Sequence, residues 1–311
     1  MRLRSVLTGL AGGLAVAAGV HRSLETRAGP LSPALSGRDR TYRWRGYDVR
    51  YVEAGDPDRP DVVLLHGIHA AASAREFHRI FGALAGRYHV LAPDLPGFGT
   101  SDRPPVVYDG GTYEGFLRDF LADVADEPLV VASSLTASFA AVAAAETPVS
   151  GLVLVNLTED TGSRSAAVRE LFRLPVIGQA LFDLLVSRPS IAYFDRRFAY
   201  ADPGALEGDV VDYQWRTAHQ PNARYAPASF VGGFLEPSRP LADSLGALDV
   251  PVTLVWGNRG PFSAADRRRA LAETADATLV VIAEAAGLVH EEHPDAFIDA
   301  IRDALPRLEH D

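Results

Sequence analysis

The chain contains no cysteine, and that absence excludes disulfides, a thiol nucleophile and thiolate metal sites together. It also contains no lysine: all 30 basic residues are arginine, set against 40 acidic ones for a net charge of −10. The acidic balance, with no basic stripe, argues against a nucleic-acid partner, because phosphate binding needs concentrated positive charge. No metal-ligand spacing, dinucleotide fingerprint or phosphate loop occurs, so neither a metal nor a cofactor is implied. Internal repeats and low-complexity tracts are missing too.

What remains is an ordinary globular composition, 47% hydrophobic and 23% charged over 311 residues, enough for one large α/β domain with an insertion. Arg2 and Arg4 precede an uncharged stretch, Ser5 to Val20, rich in Leu, Ala, Val and Gly. A basic start, a short apolar run and the small triplet Ala15-Val16-Ala17 fit a secretory signal. The alternative is an N-terminal helix lying on the protein or on a membrane surface through residues 5–20; the run is short of the ~20 residues of a spanning helix. Which of the two holds decides between a cytoplasmic location and a secreted or membrane-associated one. Residues 1–22 are therefore set apart, and 23–40, rich in Gly, Pro and Ser, read as a linker.

From residue 41 the pattern is that of a core. Tyr42 to Val52 alternates around Gly46 as a β-hairpin does. Short apolar runs at 61–65, 89–92, 129–132, 151–156, 252–256 and 278–282 alternate with helical segments, which predicts a mostly parallel sheet with helices on both faces. Tyr113, Phe116, Leu117, Phe120, Leu121 and Val124 form one apolar stripe at helical spacing. The rhythm breaks between 158 and 237, where short helical pieces are separated by Pro and Gly. The core thus divides into 41–157 and 238–311, with 158–237 expected to form a helical lid after the sixth strand.

Leu129 to Ala140, LVVASSLTASFA, takes an apolar strand straight into serine and then into a small-residue helix. Such a turn strains its apex, so the residues two before and two after must not clash. Taking Ser134 as apex puts Ala132 and Thr136 at those positions; taking Ser133 puts Val131 and Leu135 there. Ser134 is the better nucleophile frame. Together with LLHG at 64–67, DLPGFGTSDRP at 94–104, VWG at 255–257 and EEHP at 291–294, this resembles the α/β-hydrolase superfamily, in its lidded branch of esterases, haloperoxidase-like proteins and dehalogenases. The resemblance covers about Tyr42 to Leu305. It implies an oxyanion hole from the backbone N–H groups of Ile68 and Leu135.

The triad departs from the family pattern. The base, expected seven residues before Pro294, falls on Gly287, and the acid, four residues after Trp256, falls on Gly260. The substitutes are His290 as base, with Glu159 or Asp160 as acid; His69 and His219 are weaker alternatives to His290. Asp94 and Asp102 read as loop-holding residues and Arg267 to Arg269 as a solvated face. Tyr193, Phe194, Tyr213, Trp215 and Phe230 either line an apolar pocket or bury the lid on itself. Two functions stay open: an esterase-like hydrolase taking a small apolar ester or acyl compound in a lidded pocket through Ser134, or a hydrolase-fold protein that binds a ligand or partner without hydrolysing it.

Overall fold

The computed structural model describes residues 2–260 and 264–308, with side chains from residue 12 onward. The described strands are β1 (Arg38–Trp44), β2 (Tyr47–Ala54), β3 (Asp61–Leu65), β4 (His89–Pro93), β5 (Leu129–Ser133), β6 (Gly151–Val155), β7 (Val252–Gly257) and β8 (Thr278–Ile282). They form one sheet in the order β1-β2-β4-β3-β5-β6-β7-β8, parallel from β4 to β8, with β2 antiparallel to both β1 and β4. The α/β-hydrolase architecture expected from the motifs is the one observed.

Its central strands β5, β6 and β7 are buried at every residue, which is why they read as unbroken apolar runs. The β1–β2 turn places Arg45 and Gly46 at φ 49 and 89, the two positive φ angles of a hairpin turn matched to strand twist. β1 is an edge strand of largely exposed residues, several of them charged, and so escapes apolar patterning; it starts at Arg38, inside the expected linker.

The described helices are α1 (Arg2–Ala28), α2 (His78–Ala85), α3 (Gly110–Val124), α4 (Ser134–Ala144), α5 (Ala166–Arg173), α6 (Ile177–Leu185), α7 (Arg188–Phe194), α8 (Gly208–Ala218), α9 (Tyr225–Val231), α10 (Leu241–Gly246), α11 (Ala265–Thr274), α12 (Val289–Glu292) and α13 (Pro294–Ala300). Asp109 caps α3 by accepting from Thr112 N at 2.8 Å, and its stripe Tyr113, Phe116, Leu117, Phe120 and Leu121 is buried against one face of the sheet. On the other face Phe77, Ile80, Phe81, Phe297 and Ile301 form a second layer. Helices α5 to α9 all fall between β6 and β7, and among the described residues no strand of the sheet lies in that insertion.

The N-terminal boundaries differ from the sequence reading. α1 runs on to Ala28, and the following coil is tied down by the insertion: Arg216 Nε donates to Ala28 O at 3.0 Å, Gln220 Nε2 to Gly29 O at 2.9 Å and Tyr213 hydroxyl to Ser32 O at 2.9 Å. Backbone carbonyls of a Gly/Pro-rich stretch need donors as any others do, and the insertion supplies them. The opening of the apolar segment, the side chains of residues 1–11, lies outside the described residues. Among the described residues no helix is long and apolar enough to cross a membrane.

Candidate active site

Strand β5 ends at Ser133 and α4 begins at Ser134 without an intervening loop. That junction forces Ser134 to φ 53, a left-handed conformation that costs a non-glycine residue ~1 kcal/mol or more. Ser134 stays partly exposed, whereas Ser133 is buried. Thr136 is fully buried, and its hydroxyl donates to His66 O at 2.7 Å, tying α4 to the loop after β3. That loop passes so close that a Cβ on Gly67 would lie 3.2 Å from Ser134 Cβ. We expect Ser134→Gly to raise the melting temperature by a few degrees, because glycine adopts this φ without strain; thermal denaturation followed by circular dichroism measures it, and a lower melting temperature would contradict the strain.

Each loop at this edge has its own brace. His66 Nε2 accepts from Leu95 N at 3.0 Å, so Nδ1 carries the proton and donates to Gly67 O at 2.7 Å. Asp94 accepts from Ala74 N at 2.8 Å and from Thr100 N at 2.7 Å, while Asp102 accepts from Asp48 N at 2.8 Å. Ile68 and Leu135 follow the ends of β3 and β5, and neither N–H donates to another group among the described residues.

The substitutes for the triad are dispersed. His290 is fully buried, stacked on Phe77 with ring centroids 5.0 Å apart, and its Nε2 faces Glu76 Oε1 at 3.3 Å. Glu76 also accepts from Gly67 N at 2.8 Å and takes a hydrogen bond from the Ser133 side chain. Burial alone would push the Glu76 carboxyl up, but His290, Ser133 and Gly67 together hold it at about 2. Glu159 caps α10 by accepting from Leu241 N at 2.9 Å and pairs with Arg267 at 3.2 Å. Asp160 accepts from Gly162 N in an exposed turn. His290 is therefore partnered by Glu76, a residue the motif reading passed over, and the structure joins it to neither Glu159 nor Asp160.

The loop at Gly287, where the family pattern led us to expect the base, is closed. A Cβ on Gly287 would lie 2.6 Å from Phe198 O, and Leu288 N donates to Ala199 O at 2.9 Å, so the insertion seals this loop. From the other side Asn156 Nδ2 donates to Gly287 O at 2.6 Å and to Ala286 O at 3.1 Å. Gly260 carries no carboxylate, although a Cβ there would meet nothing closer than 3.7 Å among the described residues.

The remaining histidines and aromatics divide similarly. His69 accepts from Ala71 N at 3.3 Å through Nδ1; enclosure pushes its value down to about 4, leaving a neutral imidazole at neutral pH. It lines a cavity of about 20 Å³ with Glu76, Gln214, Leu288 and Glu291. His219 ends α8, its Nδ1 on Trp215 O at 2.7 Å. Trp215 is buried within the insertion, while Tyr193 and Phe194 are exposed and pack edge to face on each other at 5.5 Å. Arg267 and Arg268 are engaged, the latter donating to Gly257 O at 3.2 Å.

Sheet order, strained serine junction and helical insertion between β6 and β7 define a class of hydrolase-like α/β proteins. The chain belongs to the alpha/beta hydrolase family, whose model matches residues 62–300. It is similar to an uncharacterized hydrolase of Saccharomyces cerevisiae, 44% identical over 59 residues, which are 19% of this chain and 20% of that protein. It is also similar to epoxide hydrolase A of Mycobacterium tuberculosis, 40% identical over 87 residues, 27% of each chain. The chain thus matches well under a third of these relatives' lengths. Among solved structures, Cfl2 from Burkholderia cenocepacia superposes with a TM-score of 0.70 at 26% identity, covering 89% of this chain and 98% of that one. An alpha/beta hydrolase fold protein from Burkholderia ambifaria gives 0.65 at 26% identity over 85% and 97%.

Proposed function

We propose that this hydrolase-family protein binds a small apolar acyl compound beside Ser134, under the insertion acting as a lid, without turning it over through a serine–histidine–acid triad. The observation that carries this reading is Gly287: the base position holds no imidazole, and Phe198 O and Asn156 close on it from both sides. A serine hydroxyl without a base in reach is a poor nucleophile. The N–H groups of Ile68 and Leu135 remain available to hold a carbonyl or carboxylate oxygen, a task that needs no proton transfer.

Slow acyl transfer by Ser134 is the second reading. It is favoured by the strained φ of 53 and by a partly exposed hydroxyl that makes no hydrogen bond among the described residues. A fluorophosphonate probe separates the two. We expect wild type and Ser134→Ala to label equally poorly, while a short-chain carboxylate well above its Kd raises the melting temperature of the wild type. Rapid labelling that vanishes in Ser134→Ala would overturn the binding reading in favour of acyl transfer.

A further inference from the structure

Helix α6 is built the wrong way round for a helix of a water-soluble surface. It buries Gly178, Gln179 and Phe182 and turns Ile177, Leu181 and Leu184 outward, with Leu184 71% exposed and Leu174 just before it also exposed. A surface helix ordinarily keeps its apolar stripe inward. The segment 174–187 carries a single charge, Asp183, in a chain that is 23% charged.

Helix α1 continues this surface. His21 Nδ1 meets Asp183 at 3.1 Å, Gln179 Nε2 donates to the same carboxylate at 2.9 Å, and Leu24 and Ala28 pack into one cluster with Phe182. The lone charge of α6 is thus engaged at the junction of the two helices. Beyond His21 towards the N-terminus, residues 12–20 are exposed apart from Ala17, Val16 at 67% and Val20 at 52%. The sequence from Ser5 to Val20 holds no charge, and Arg2 and Arg4 precede it.

The geometry points to a lipid bilayer as the partner of this combined surface. A second protein copy would cover one stripe of α1, whereas residues 12–20 are apolar and exposed around the helix; a helix apolar all round is stable in a hydrocarbon phase. Sixteen uncharged residues give ~24 Å at 1.5 Å each, short of the ~30 Å hydrocarbon core, so the helix lies along one leaflet with both charged ends at the headgroups rather than crossing. Arg2, Arg4, Arg22 and Arg27 supply positive charge on α1 for anionic headgroups, against the negative charge of the chain as a whole. With α1 fastened to α6, and the insertion also packed on the Gly287 loop, the insertion lies between the bilayer and the core.

The test is flotation of the full chain with phosphatidylcholine vesicles, with and without phosphatidylglycerol. Wild type is expected to float with both, more completely with the anionic vesicles. Leu184→Asp on α6 and Val16→Asp on α1 should each lower partitioning about tenfold, as expected for a charge placed in apolar lipid. Both positions are exposed, so the melting temperature in vesicle-free buffer should stay within a degree or two of wild type. Protein that stays below the vesicles, or variants that float like wild type, would overturn the proposal. A vesicle-independent dimer dissolved by the same substitutions would overturn it in favour of a second copy.

Discussion

Glu76→Ala is expected to lower the melting temperature by on the order of 10 °C, the largest effect of any single substitution considered. The carboxylate is the acceptor for Gly67 N at 2.8 Å, faces His290 at 3.3 Å and takes the Ser133 hydroxyl, all out of contact with water. Removing it leaves a buried amide and a buried hydroxyl without their acceptor and opens a void beside the buried imidazole, and each unsatisfied buried group costs about 1–3 kcal/mol. Glu76→Gln keeps an acceptor for Gly67 and should lose less than half as much. Chemical denaturation of the three proteins measures this, and an alanine variant within 1 kcal/mol of wild type, judged against ~1 kcal/mol for one hydrogen bond, would contradict it. The loop carrying Ile68 hangs on the same acceptor, so the ligand binding proposed beside Ser134 should weaken along with stability.

The second large effect is a loss of stability towards alkaline pH. Burial raises Glu291 to about 8, with the Tyr200 hydroxyl and Arg75 pulling it back and the Glu76 and Asp195 carboxylates adding to the rise. Burial likewise raises Asp195 to about 7, against a hydrogen bond from Gln214. Both folded values exceed those of free carboxyls, so the folded protein holds protons that the unfolded chain releases. Their contribution is complete at acid pH and is lost as pH rises through about 7 and then about 8. Between about pH 6 and about pH 9 the loss should be on the order of 2–4 kcal/mol, several degrees of melting temperature. On the acid side the signs reverse: Glu76, held at about 2, and His69, at about 4, lose stability as pH falls. Glu291→Gln should flatten the alkaline limb and leave the acid limb in place. A variant with the wild-type alkaline slope would show that another group sets it.

How much of this was readable beforehand depended on whether the information was local. β3, β5, β6 and β7 announce themselves because parallel strands covered on both faces are nearly continuous apolar runs, and the 45–46 turn because its glycine marks a hairpin. β1 does not, since an edge strand keeps charge on its exposed groups. At the candidate site the steric demand at Ala132 and Thr136 is local and could be read. The partner of His290 could not: Glu76 lies more than two hundred residues away, and α12 is one turn long, too short for periodicity to say which way His290 points. Nor does a missing histidine reveal that Phe198 and Asn156 have closed its place, because that closure joins three separate segments of chain. The buried Asp195–Glu291–Tyr200 group escaped for the same reason, since its members come from two segments some ninety residues apart.

The enclosure of Gly287 also fixes an order of events for placing any side chain at that position. A histidine placed there first would drive its Cβ to 2.6 Å from Phe198 O and would be rejected by the fold before its imidazole could meet Ser134. The segment around Phe198 and Ala199 must withdraw beforehand. Any larger residue at 287 therefore needs two moves, and the loop must shift before the side chain can enter.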